Sequence, residues 1–234
     1  NWSIRSSVLW EITNTLASNF GMNVNEAAKL SSKVFDTSKA LGLSADESAN
    51  LFGSLTQVAN LSAEQAESLA EGAFQLARQE GVAPSAVMKD IAGSSEEIAL
   101  FTKDGGNNIA EAAVQARKMG MSLSQTAKIA SGLLDFENSI KAEQEASVLI
   151  GKQLNYNKAR ELALSGDIAG AAADVVKQIG GKAELEKMNV LQRRALADSI
   201  GVSVDELSKL AGGKMEVKDA DKDIKQQQKN VQEK

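Results

Sequence analysis

An all-α chain, organised as an array or bundle of short capped helices and helical hairpins, is predicted by three observations. A short phrase recurs six times: a glycine or asparagine, an apolar residue, then in most copies a polar residue with Glu or Gln three positions on. The 234 residues include a single proline and lean on Ala, Leu, Glu, Gln and Lys, which favour helix. No convincing run of alternating β-branched residues argues for a strand.

The phrase has a physical reading. Gly21, Gly42, Asn60, Gly81, Gly120 and Gly201 each close an apolar-periodic stretch, and both residue types tolerate the left-handed conformation that ends a helix. Met22, Leu43, Leu61, Val82, Met121 and Val202 follow, placed to touch the last turn of one helix and the first turn of the next. Asn23, Ser44, Ser62, Ser122 and Ser203 come next as N-caps, with Glu26, Glu47, Gln65, Gln125 and Glu206 completing capping boxes. In the fourth copy Ala83 holds the cap position and Pro84 the first helical position, where its fixed φ suits the helix and its missing amide costs nothing. The intervals between stops are 21, 18, 21, 39 and 81 residues, near multiples of twenty. Each unit has room for one helix of roughly four turns.

Three regions follow along the chain. Residues 1–20 place Ile4, Val8, Ile12 and Leu16 every fourth position, an amphipathic helix carrying Trp2 and Trp10, whose expected use is packing. Residues 21–213 form the helical-hairpin region. Within it, "KDGGNNIAEAA" (103–113) reads as a glycine turn into a helix capped by Asn107 or Asn108; it lacks the lysine and hydroxyl of a phosphate-binding loop. "KARELALSGDIAGAAADVV" (158–176) reads as one tight helical hairpin with Asp167 as cap, and "IGGK" (179–182) and "AGGK" (211–214) read as helix terminators. Residues 214–234 change character, with eleven of twenty-one charged and Val217, Ala220, Ile224 and Val231 at 3-4-7 spacing. That is about two heptads, a charged helix that could enter a coiled coil, and a solvated tail fits the composition equally.

The absences limit the chemistry. With no cysteine and no histidine, disulfides, thiolate nucleophiles, Ser-His-Asp triads and Cys/His zinc sites are excluded. Carboxylate pairs such as Glu96 and Glu97, Glu143 and Glu145, and Asp205 and Glu206 read as helix first turns or polar faces. No catalytic, cofactor-binding or metal-ligating residue is therefore assigned, and the chain is not expected to be an enzyme. A net charge of −5 argues against a nucleic-acid surface, and "QRRA" (192–195) reads as a solvated helix face. The longest obvious uncharged run, between Glu47 and Glu64, has 16 residues, too few for a membrane span, so the segment is expected to be soluble. A chain opening on Asn1 reads as a fragment or a processed form.

Three stretches, 41–101, 108–172 and 189–210, resemble the helical part of tail tape measure proteins of tailed bacteriophages. The most specific pieces are "GLSADESA" (42–49), "KIASGLLDFENSI" (128–140) and "QLNYNKARELALSGDIAGA" (153–171), the first a looser pattern than the others. The resemblance implies a structural virion protein that sets tail length during assembly, in the host cytoplasm. Tail-tube subunits polymerise around such proteins, which leave the tail with or ahead of the DNA. It also implies tail-tube and baseplate-hub partners, self-association as a trimer or hexamer, and membrane contact only during ejection. The mechanism is geometric, because a helix advances about 1.5 Å per residue. As a single helix this chain spans at most about 350 Å, and its glycine joints shorten that, so it is expected to be a folded module rather than a whole ruler. Two alternatives share the architecture: an α-helical scaffold or adaptor binding partner helices, and a membrane-active helical domain aiding DNA passage.

Overall fold

The computed structural model describes residues 2–212, and it is all-α: among these residues there is no strand. The chain divides into two compact units, residues 1–117 and 118–234. The expected coiled-coil seam at 217–231 lies outside the described residues, as do the last two residues of "AGGK", of which Ala211 and Gly212 are helical.

The first unit holds α1 (Trp2–Phe20), α2 (Val24–Leu41), α3 (Ala45–Gly53), α4 (Ala63–Gln79), α5 (Pro84–Ala92), α6 (Ser95–Phe101) and most of α7 (Asn107–Lys118). α3 continues into a π turn, Ser54–Val58. α1 packs on α2 and α3, α3 on α5, and α4 on α5. The second unit holds α8 (Leu123–Leu134), α9 (Phe136–Ile150), α10 (Asn157–Leu164), α11 (Ile168–Ile179), α12 (Lys182–Glu186), α13 (Val190–Ser199) and α14, which begins at residue 204. α9 packs on α13, α10 pairs with α11 as the expected hairpin, and α8 lies against both. The Asp167 carboxylate caps α11 by accepting from the Gly170 amide at 2.9 Å.

The six joints have the expected backbone. Gly21, Gly42, Gly81, Gly120 and Gly201 have φ between 65° and 74°, and Asn60 has φ 58°. After Gly21, Gly42, Asn60, Gly81 and Gly201 the apolar residue sends its amide back into the outgoing helix, as Leu43 to Ser38 O at 3.0 Å, Val82 to Ala77 O at 3.0 Å and Val202 to Ala197 O at 3.1 Å. That reach satisfies carbonyls a helix end would otherwise orphan. The side chains of Met22, Leu43, Leu61, Met121 and Val202 are buried and that of Val82 half-buried, so each joint angle is fixed by packing as well.

Ser44, Ser62, Ser122 and Ser203 form reciprocal capping boxes with Glu47, Gln65, Gln125 and Glu206. Asn23 departs from the expectation: its side chain accepts from the Asn25 amide, two residues on, and makes no box with Glu26. The shorter loop closed by an Asx side chain explains the difference. A further box, Asn189 with Gln192, opens α13 without a preceding glycine stop; Gly166 is a left-handed stop followed at once by the Asp167 cap, and Gly151 is a left-handed stop without the recurring phrase after it.

α1 corrects one expectation. Ile12 and Leu16 are buried, yet residues 2–7 are exposed, and Trp2 and Trp10 stand 88% and 68% exposed. Periodicity identifies the apolar face but not whether anything lies opposite it. Trp10 sits two residues from Ile12, on the other side of the helix. Ile12 and Leu16 are the side chains through which α1 packs within the first unit.

The core is aliphatic and small. Phe52 and Tyr156 are the largest fully buried side chains, and alanines such as Ala66, Ala70, Ala73 and Ala77 on α4 let helices approach closely. Gly53 shows how close: a Cβ added there would lie 2.2 Å from the Phe20 ring. Although Gly→Ala within a helix ordinarily stabilises, Gly53→Ala is expected to cost about 1–3 kcal/mol through overpacking. Thermal denaturation of the variant checks the sign.

Candidate functional site

The most densely bonded polar cluster in the second unit joins α9, α10 and α13 around one arginine. α9 follows α8 after a single residue, Asp135, which ends one helix and caps the other; its carboxylate accepts from Asn138 Nδ2 at 2.8 Å. α9 thereby carries Ser139 and Glu143, one turn apart, on the face toward α10. Arg160, buried on α10, donates from Nε and Nη2 to Ser139 Oγ at 3.1 and 2.9 Å. Its Nη2 also meets Glu143 Oε2 at 2.5 Å, and its Nη1 meets Asn157 Oδ1 at 3.1 Å. The Arg160 and Glu143 side chains are 6% and 13% exposed, so water screens the pair little.

The loop between α9 and α10 is tied into the same cluster. The Tyr156 amide donates to Glu143 Oε2 at 3.3 Å, and the Leu154 amide to Ser147 Oγ at 3.0 Å. Gln178 of α11 pairs with the Asn155 backbone in both directions, at 2.9 and 2.7 Å. The Tyr156 hydroxyl lies 3.1 Å from Ser199 Oγ on α13. Ser199 spends its own proton on Leu196 O, so Tyr156 is the donor. Burial pushes the Tyr156 phenol up to about 12. Every nitrogen of the guanidinium has a protein partner, which makes the cluster a clamp between helices rather than an anion site.

This corrects the reading of Glu143 as a residue of a solvated polar face; Glu145 does lie exposed. The partner is seventeen residues away and no local pattern announces it. Arg193 is corrected in the same sense: it donates to Leu185 O at 3.0 Å and Glu186 O at 3.1 Å, capping α12, while Arg194 is exposed. The Glu96–Glu97 and Asp205–Glu206 pairs do lie at helix starts. Glu206 accepts from its cap amide, Ser203, and meets Lys128 at 3.3 Å, and Glu47 does the same with Ser44 and Lys89. The cap amide chiefly, and the lysine less, hold both carboxyls below the usual carboxylate range.

In the first unit the "DGG" turn also differs from expectation. Asp104, Gly105 and Gly106 all have positive φ, and α7 starts at Asn107. Asn108 is not a cap; its side chain accepts from the Lys103 amide at 3.0 Å and donates to Phe101 O at 2.7 Å, closing the loop onto the end of α6. Gly106 packs where a Cβ would come 2.9 Å from Leu69. Beside this turn, α4 and α7 border an open groove of about 420 Å³, walled by Gln65, Ser68, Leu69, Gly72, Ala73 and Leu76 on α4. At the far end of α7, Arg117 grips Asp90 of α5 through two bonds of 2.7 and 2.6 Å.

Exposed apolar side chains form a second surface feature that the sequence reading did not single out. Phe136, Ile140, Val148 and Leu149 stand exposed on α9, and Val190 and Leu191 on α13. Gln192 Nε2 donates to Leu149 O at 2.9 Å, so the end of α9 and the start of α13 adjoin. The signal was present as Phe136, Ile140 and Val148 in one row at multiples of four. Among the described residues no group of three or more acidic side chains is placed to hold a metal ion, and no helix is long and apolar enough to cross a membrane. No family model, curated protein or solved structure matches the chain.

Proposed function

We propose that the chain is a structural segment of a tailed-bacteriophage tape measure protein, a folded module attached to a longer helical ruler. One observation carries the reading. The two most specific stretches of the resemblance, 128–140 and 153–171, meet in a single clamp, the first supplying Ser139 and the second Tyr156, Asn157 and Arg160. The distinctive residues of those stretches thus have a common structural task, and the fixed joints suit a protein that offers shape rather than chemistry. In this reading the module sits in the tail tube or baseplate hub, contacts tube and hub subunits, self-associates as a trimer or hexamer and leaves with the DNA. No catalytic step is assigned to it.

Electron microscopy of assembled tails tests the reading. Inserting four heptads of helix-forming sequence after residue 212 is expected to lengthen the tail by about 42 Å, at about 1.5 Å per residue. Tails of unaltered length contradict it. A helix-binding scaffold is the second reading, favoured by the apolar row on α9 and α13; pull-down with tube or hub subunits separates the two, and capture of neither favours the scaffold.

A further inference from the structure

The groove in the first unit has the form of a seat for a helix. Its α4 wall is made by residues 65, 68, 69, 72, 73 and 76, which are one continuous face at spacings of three and four. That face runs about 17 Å along the helix axis, the length of some three turns, more than a small polar metabolite fills. The opposite side is the "DGG" turn and the first turns of α7, contributing Asp104, Gly105, Asn107, Ala110 and Glu111. Leu69, Ala73 and Ala110 are buried at its floor.

Gly72 is the second observation. It lies in mid-helix in α4, where glycine costs about 0.5–1 kcal/mol relative to alanine. No packing among the described residues asks for it, since a Cβ added at Gly72 meets nothing within 4 Å. Gly53 and Gly106 are hemmed in by Phe20 and Leu69, so Gly72 contrasts with both. An open glycine facing a groove, flanked by Ser68 and Ala73, permits close approach by a backbone from outside.

The third observation is charge. The polar side chains lining the groove are Gln65, Ser68, Asp104, Asn107 and Glu111, and among the described residues no lysine or arginine lines it. Asp104 is held on the rim by a left-handed backbone, φ 53°, that few residue types adopt. An apolar floor under a carboxylate rim is complementary to a long side chain with an aliphatic stem and a cationic head.

We propose that the groove between α4 and α7 docks a helix of a partner protein that presents a lysine or arginine among small apolar residues. The backbone of that helix passes over Gly72, its cationic side chain lies over Leu69, Ala73 and Leu76, and its charge reaches Asp104 and Glu111. This inference does not depend on the tail-length reading.

Nuclear magnetic resonance on the full ¹⁵N-labelled chain tests it, with two alanine-rich 15-residue helical peptides as probes, one carrying central lysines and one glutamates at the same positions. The lysine peptide is expected to shift the amides of 65–76 and 104–111 and to bind at least tenfold more tightly than the glutamate peptide. Gly72→Leu, which fills the groove, is expected to weaken it at least tenfold. The exposed pair Asp104→Asn with Glu111→Gln, which cannot unfold a core, is expected to weaken it several-fold. Equal binding of both peptides, shifts confined to other surfaces such as α9, or indifference to these variants would overturn the proposal. Groove resonances that move on dilution without peptide would assign the seat to a second copy. Broadening of those resonances by a spin label on Lys225→Cys would assign it to residues 213–234, and either result also overturns the proposal.

Discussion

Arg160→Ala is expected to destabilise the chain by about 3–5 kcal/mol, the usual cost of removing one member of a buried ion pair. The loss comes less from the missing attraction than from what is left behind. Glu143, 13% exposed beside Arg160 in the parent, keeps the Tyr156 amide as a donor but loses its countercharge, and Ser139 and Asn157 lose the Arg160 donor. Removing both charges together, as Arg160→Met with Glu143→Leu, is expected to stay within about 1–2 kcal/mol of the parent, because the desolvation cost vanishes with the attraction. Urea denaturation of the three proteins measures both figures. If Arg160→Ala cost less than about 1 kcal/mol, the cluster would not be the clamp described above.

Raising the pH from 10 to 12 is expected to remove about 2 kcal/mol of stability through Tyr156 alone. The phenol is neutral in the fold and its folded value, about 12, lies above the unfolded value near 10. A raised folded value means that the contribution is complete below pH 10 and is lost as pH climbs to 12. Tyr156→Phe is expected to cost about 1 kcal/mol at neutral pH, for the bond to Ser199, and to lack that part of the alkaline decline. Because Tyr156 is the sole tyrosine, phenolate absorbance reports its ionisation without ambiguity. A midpoint near 10 would show that the hydroxyl is not held as described.

The parts of the fold legible in the sequence are those fixed by interactions within a few residues. A left-handed stop, an apolar joint residue and a cap with its box partner all act over at most six positions, so Gly42, Leu43, Ser44 and Glu47 could be assigned roles directly. Asn23 escaped because the side chain had two amides within reach and the pattern could not say which it chose. The Asn189 box lies outside the recurring phrase because no glycine stop stands before Met188, which leads into it.

The clamp was not legible, although its residues lie in the stretches that carry the resemblance. Ser139, Glu143, Arg160 and Ser199 are brought together by the fold of the 151–156 loop back onto α9 and by the packing of α9 on α13, which couple residues far apart in the chain. A charged residue whose partner lies seventeen residues away on another helix reads as a surface charge until the helices are placed. The groove is a similar case: Gly72 looks like an ordinary weak spot in a helix until the empty space beside it is seen.

The central claim is that helices in this chain end where a left-handed residue makes them end, and that these joints are fixed locally. Replacing Gly42 by D-alanine and by L-alanine, through chemical ligation, tests it most directly, because nothing within 4 Å would meet an L-alanine Cβ there and only the backbone, φ 67°, decides the outcome. The D-alanine protein is expected to be at least as stable as the parent, and the L-alanine protein less stable by about 1–2 kcal/mol. Equal stability of the two would mean that residue 42 is not held in the left-handed conformation, and that the joints are not what shapes this chain.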